Sequence, residues 1–288
     1  MSPHLGIRYA EPAAGSLRLH PPVDCDGEPA GGFGDSHTLN VWSTVDSGAP
    51  VLLWVHGGAN TVGSSAQPEY AGDVLASHGV VFVSCNYRLA VDGYGAVEGF
   101  PRNRGLLDVV SALRWVQRNI ARYGGDPSNV TVAGQSSGAQ TVASLMVMPV
   151  ARGLFHRAIA HSLAGRFFTP AEAVAVQRAA EPDVVLYQPI VDGDTLPRSA
   201  LEGPYDVDLL VCHTADEDAE LFQRPTMRLA DEHGRAFRSI YARTPAHHGA
   251  DVPDMFCGDI ATAWASFARD GDPGWPRDEL KRWVSSPS

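Results

Sequence analysis

The sequence predicts an α/β fold with a mostly parallel central sheet flanked by helices. Three observations carry this. Short all-apolar runs end at glycines, as strands buried on both faces do. Amphipathic stretches with three- and four-residue apolar steps lie between them. The two kinds of segment alternate along the chain, the pattern of parallel βαβ units.

The elements follow in order. Residues 1–50 are rich in Pro and Gly and read as irregular, with a flexible loop over Asp24–Gly34 (DCDGEPAGGFG) and one short strand over Thr38–Trp42. Pro50–Val55 is a continuous apolar run that stops at His56-Gly57-Gly58, and Val80–Cys85 repeats the pattern. Leu106–Tyr123 is the clearest helix, because Leu106, Val109, Val110, Leu113, Val116 and Ile120 make one apolar face. Gly124, Gly125 and Pro127 are its stop signals. Val130–Ala133 is a further buried strand ended by Gly134, and Ala139–Met148 is the next helix. Strands over Arg157–Ala160, Val207–Cys212 and Arg235–Tyr241, with helices over Ala171–Ala180 and Asp259–Arg269, continue the rhythm. No repeat, heptad or linker divides the chain, so residues 1–288 read as a single domain.

Composition narrows the function. The chain has 288 residues, 44% of them apolar, and 33 acidic against 22 basic residues leave a net charge of −11. Such a chain does not hold nucleic acid or an anionic membrane by bulk electrostatics, which needs clustered Lys and Arg. Lys281 is the only lysine. With the Ala- and Gly-rich background, the Arg bias points to a GC-rich, bacterial source. No apolar run has the ~18 residues that a membrane helix needs, and residues 1–8 do not read as a signal peptide. A cytoplasmic protein without membrane association is therefore expected. Cys25, Cys85, Cys212 and Cys257 form no CxxC or zinc spacing and are expected as free thiols, Cys85 buried.

The strongest chemical signal is Gly134-Gln135-Ser136-Ser137-Gly138, a G-x-S-x-G pentapeptide with a strand before it and a helix after it. A Ser on such a turn is pushed out of the sheet, and the glycines let neighbouring backbone pass. The second signal is His56-Gly57-Gly58-Ala59, after a buried strand. Small residues in a tight loop can aim backbone N–H groups at the oxyanion of acyl transfer.

These segments resemble the type-B carboxylesterases, the cholinesterase-like branch of the α/β-hydrolase fold. Gly6–Pro12 (GIRYAEP) and Asn86–Leu89 (NYRL) are similar to family segments. The densest match runs through Asn103–Asp108 (NRGLLD), Ala112–Ile120 (ALRWVQRNI), Gly124–Pro127 (GGDP) and the Ser turn. Pro189–Pro197 and Ala268–Pro273 are similar as well.

The resemblance implies a serine ester hydrolase acting on a small-molecule ester, with Ser136 as nucleophile and no cofactor. In this fold the chain order is Ser, acid, His. By residue type Asp216, Glu217 and Asp218 are all candidates for the acid; the family's D-E-G stretch selects Glu217, with Asp216 the alternative. Among the adjacent His247 and His248, the motif His-Gly-x-acid selects His248, with Gly249 and Asp251 behind it. The implied oxyanion donors are the backbone N–H groups of Gly58, Ala59 and Ser137. No metal is expected, since adjacent histidines do not readily share an ion and HExxH is absent.

The sequence departs from the family where Gln135 replaces an acidic residue, which weakens any preference for cationic leaving groups, and where Ser137 replaces an Ala. Phe100, Phe167, Phe168, Tyr70, Tyr94 and Met227 are candidates for a substrate pocket. A non-catalytic binding protein of the same fold and an acyl transferase with the same triad are the alternatives. Family members are much longer. Ser136 and Glu217 are 81 positions apart and Glu217 and His248 only 31, both compressed, so the cap is expected to be reduced or absent and the active site exposed.

Overall fold

The computed structural model describes residues 2–30, 35–179 and 186–284. Nine strands form one sheet: β1 (His4–Arg8), β2 (Thr38–Trp42), β3 (Ala49–Val55), β4 (Val81–Cys85), β5 (Gly125–Gln135), β6 (Arg157–His161), β7 (Asp208–Thr214), β8 (Phe237–Tyr241) and β9 (Leu280–Trp283). Their spatial order is β1-β2-β4-β3-β5-β6-β7-β8-β9. The β1–β2 and β2–β4 pairs are antiparallel and all others are parallel. Among the described residues eight α-helices accompany it: α1 (Asp73–Ser77), α2 (Ala90–Tyr94), α3 (Arg104–Asn119), α4 (Ser137–Val147), α5 (Pro170–Ala179), α6 (Arg224–His233), α7 (Val252–Phe256) and α8 (Asp259–Asp270).

The apolar runs became central strands because both faces of the sheet are covered. Along β3, Val51, Leu53 and Val55 pack into the core shared with α3 and α4. Leu52 and Trp54 point the other way, into a core with Phe82, Phe256 and Trp264. Period-two alternation thus feeds two apolar layers, and no polar face is left to break the run. The predicted face of α3 is buried throughout, from Leu106 to Ile120. The helix passes into a 3₁₀ turn over Ile120–Tyr123 and stops at Gly124, whose φ of 85° suits glycine.

Several expectations need correction. The N-terminal region is less irregular than it reads: β1 pairs with β2 there. Residues 31–34 of the Asp24–Gly34 loop and Ala180 of the predicted Ala171–Ala180 helix lie outside the described residues. β9 and α6 were not legible. α6 buries only Thr226, Leu229 and Ala230, too few apolar positions to mark a helix in a segment that begins Arg224-Pro225. Among the described residues no helix is long and apolar enough to cross a membrane. All four cysteines are free, with Cys85 and Cys212 buried.

Two sequence segments interlock to hold the first half of the sheet. Asp108 of α3 is fully buried and accepts from the Arg88 guanidinium at 2.7 and 2.9 Å and from its backbone N–H at 2.9 Å. His37 Nε2 stands 3.1 Å from the same carboxylate. Asn103, held at φ 55°, exchanges two hydrogen bonds with the backbone of Ile190.

Candidate active site

Ser136 sits between β5 and α4 with φ 58° and ψ −123°, a sparsely populated conformation for a non-glycine residue. Its N–H donates to the His161 carbonyl at 2.9 Å, tying the turn to the end of β6. The flanking glycines make the turn fit. A Cβ on Gly138 would lie 2.1 Å from the Val55 carbonyl oxygen, and one on Gly134 would lie 2.5 Å from the Gly138 backbone. The strand and helix therefore cross at backbone contact, and Ser136 projects from the crossing.

Three predicted residues converge there. His248 Nε2 lies 3.0 Å from Ser136 Oγ. His248 Nδ1 lies 2.7 Å from Glu217 Oε2. The other Glu217 oxygen accepts the Thr214 N–H at 3.0 Å, and Gln223 Nε2 donates to the Glu217 carbonyl at 3.0 Å. Asp216 and Asp218 are exposed. Asp218 instead caps the following turn, accepting the Leu221 N–H at 2.8 Å. Of the three acids only Glu217 is buried and reaches the histidine, despite the short interval between them. His247 turns away and bonds the backbone of its neighbour.

Gly58 and Ala59 lie on the loop after β3. Gly58 has φ 119°, and a Cβ there would fall 1.9 Å from the Val62 carbonyl oxygen. Ala59 and Asn60 also have positive φ. The loop is thus tightly coiled, and the N–H groups of Gly58 and Ala59 find no backbone acceptor among the described residues. Ser137 begins α4, where the first N–H groups have no intrahelical partner. His56 anchors the loop from beneath: it is buried, stacks on Tyr87 at 4.5 Å, and contacts the Gly57 carbonyl at 2.7 Å through Nδ1. Burial pushes its pKa down to about 4, the Gly57 contact opposing that only in part.

These residues line one solvent-open cleft of about 790 Å³. Its walls are the loop from Gly57 to Gln67, Tyr70, Gln135, Ser136, Phe222, His248 and Gly249. Among the described residues no Asp, Glu, Lys or Arg lines it, and no residue of α5 or α6 does. Of the six candidate pocket residues only Tyr70 belongs to the cleft. Tyr94 and Phe168 are core residues, and Phe100 packs edge-on against His20. The residue missed from sequence is Phe222, whose ring stacks on the His248 imidazole at 3.8 Å. It rides on a π-helical turn, Ala219–Gln223, a geometry frequent at functional sites. Its position five residues after the acid was the available signal. A second cavity, about 570 Å³ between α4 and the 197–207 loop, contains no nucleophile–base pair.

One cluster outside the cleft has metal-ligand types: His161, Cys212 and Asp251, all buried, with their ligand atoms within 4.8 Å. Trp264 Nε1–H donates to His161 Nε2 at 3.3 Å. An indole N–H can only donate, so Nε2 accepts and the ring proton sits on Nδ1, facing Asp251 at 3.0 Å. His161 and Asp251 thus hold each other directly across this cluster.

Residues 32–181 match the model of the carboxylesterase family. The chain is 43% identical over 148 residues to the para-nitrobenzyl esterase of Bacillus subtilis, covering 49% of this chain and 30% of that protein. It is 34% identical over 321 aligned positions to the fumonisin B1 esterase of Sphingopyxis macrogoltabida, covering 90% of this chain and 58% of that one. It therefore spans between about a third and three-fifths of these relatives. Among solved structures, a Geobacillus stearothermophilus carboxylesterase superposes with a TM-score of 0.83 at 26% identity, over 97% of this chain and 89% of that one. The mostly parallel sheet with its flanking helices is the α/β-hydrolase fold, and the chain belongs to the carboxylesterase family.

Proposed function

We propose that this protein hydrolyses carboxylic esters of small molecules through an acyl-enzyme intermediate on Ser136. The observation that carries the reading is the continuous path from Glu217 through His248 to Ser136, at 2.7 and 3.0 Å. His248 takes the Ser136 proton as Oγ attacks the ester carbonyl. The Glu217 carboxylate accepts from Nδ1–H, which keeps the Nε2 lone pair toward Ser136 and stabilises the imidazolium once formed. The developing oxyanion is met by the N–H groups of Gly58, Ala59 and Ser137. One such donor is worth about 3–4 kcal/mol in the transition state. His248 then returns its proton to the leaving alcohol. In the second half it activates a water that releases the acid and restores Ser136. The residues assigned to these steps need no metal or cofactor.

Replacing Ser136 with Ala tests the reading. With p-nitrophenyl acetate, kcat should fall by about a million-fold, and covalent labelling by a fluorophosphonate should disappear. Turnover by Ser136→Ala at the wild-type rate would sink the assignment.

A further inference from the structure

We infer that His161 and Asp251 form a buried bracket that sets the distance between the nucleophile and its base; this rests on the esterase reading above. Neither residue lines the cleft. His161 ends β6, in register with Gln135 of β5. Its backbone carbonyl accepts the Ser136 N–H at 2.9 Å. Its side chain holds Asp251 through Nδ1 at 3.0 Å. Asp251 lies three residues beyond His248, and the intervening chain is a tight turn, with Ala250 N–H on the His247 carbonyl and Val252 N–H on the Gly249 carbonyl. One residue thus grips Ser136 by its main chain and the His248 loop by its side chain.

Three features argue that this contact is more than ordinary packing. Asp251 is the N-cap of α7, a position where an Asp side chain ordinarily bonds the helix's own N–H groups, yet it makes no such bond. Its carboxylate turns inward to His161 instead. The pair is almost completely excluded from solvent, His161 at 1% and Asp251 at 0% exposure, and Asp251 Oδ1 finds no hydrogen-bond partner among the described residues. A buried carboxylate held by one oxygen is costly, so the geometry is kept against a local penalty. Finally, the donor on the far side fixes direction. Trp264 of α8 donates to Nε2, which leaves Nδ1–H as the only ring donor and aims it at Asp251.

Ser136 and His248 come from segments 112 positions apart. Among the described residues the His248 side chain is held by Glu217 and Ser136, by the ring of Phe222 stacked on it and by a contact to Gln135. Its loop carries no strand or long helix. Without the bracket the imidazole would keep its Glu217 bond while its backbone drifts, and displacement of about 1 Å can cost about 100-fold in rate. His161 and Asp251 touch no reacting atom, so they are positioning residues.

The experiment is a His161 series with kcat measured per active site titrated by a fluorophosphonate, so that misfolded protein does not count. Gln can accept from Trp264 and donate to Asp251, so His161→Gln should keep kcat within about fivefold of wild type. Asn is one methylene short, and Leu has neither function. His161→Asn and His161→Leu should lose about 100-fold in kcat with KM little changed. If Leu does not fold, the Gln–Asn contrast decides. Equal kcat per site across the series, an equal fall in Gln and Asn, or a loss confined to KM would overturn the bracket. A purely structural role predicts a lower melting temperature with kcat per site intact, which also overturns it. A wild-type protein that neither hydrolyses esters nor takes the probe overturns the esterase reading, and the bracket with it.

Discussion

Gln135 stands beside Ser136, the proposed nucleophile, where the family resemblance leads one to expect an acid. Its side-chain nitrogen lies 3.4 Å from His248 Nε2, the atom that also faces Ser136. Among the described residues the cleft lining carries no Asp, Glu, Lys or Arg, and Gln135→Glu would place one carboxylate in it. Opposite charges about 4 Å apart attract by about 1 kcal/mol in water and about 4 kcal/mol at the effective dielectric of a protein surface. The ratio of kcat/KM for a cationic ester over its neutral isostere should therefore rise about tenfold in this variant. An unchanged ratio would mean that Gln135 does not face the alcohol group. His56 supplies a pH dependence at the same scale. Its folded pKa is depressed to about 4 by burial, against about 6.5 for an exposed imidazole. Between these values the unfolded chain binds the extra proton, so stability falls as pH drops from 6.5 toward 4. Denaturant midpoints should show wild type losing about 2 kcal/mol more than His56→Asn between pH 7 and pH 5.

The decisive element is the crossing of β5 and α4. Its glycines were legible as G-x-S-x-G, but the reason for each emerges only from what it touches. Gly138→Ala drives a Cβ against the Val55 and His56 carbonyls, so β3 or α4 must shift. We expect a loss of about 3 kcal/mol and of most activity. Gly153→Ala, where φ is 76° but the space is open, should cost only about 1 kcal/mol, and thermal melts of the two separate steric from conformational cost. Long, strongly periodic elements such as α3 could be read in advance because burial of one face writes itself into the residue order. α6 and the π-helical turn before it could not. α6 buries only three residues and the turn buries none, so neither writes a burial pattern into the sequence; the Asp218 cap and Pro225 mark where they start.

For the whole molecule, the segments that carried the family resemblance have a common physical role. NYRL and NRGLLD meet at the buried Arg88–Asp108 pair, tying β4 to α3. Removing one partner strands the other in the core, at about 3–5 kcal/mol. Asp108→Ala should lose stability of that order in denaturant melts, and adding Arg88→Met should recover part of it. No such effect would mean that the two segments are alike for reasons other than this contact. The open cleft, with no residue of α5 or α6 in its lining, agrees with the compressed intervals between Ser136, Glu217 and His248.

The residues by themselves marked the central strands, the G-x-S-x-G turn around Ser136 and the His56–Ala59 loop, because each depends on local chemistry that leaves a local pattern, and the family resemblance added His248. By residue type the acid was any of three neighbours, and the family resemblance selected Glu217 with Asp216 as the alternative. Only the tertiary structure separated buried Glu217 from exposed Asp216 and Asp218, brought Phe222 over the imidazole, and joined His161 to Asp251 across 90 positions. Contacts between residues far apart in the chain impose no spacing on it, so they become visible only when the strands are laid side by side.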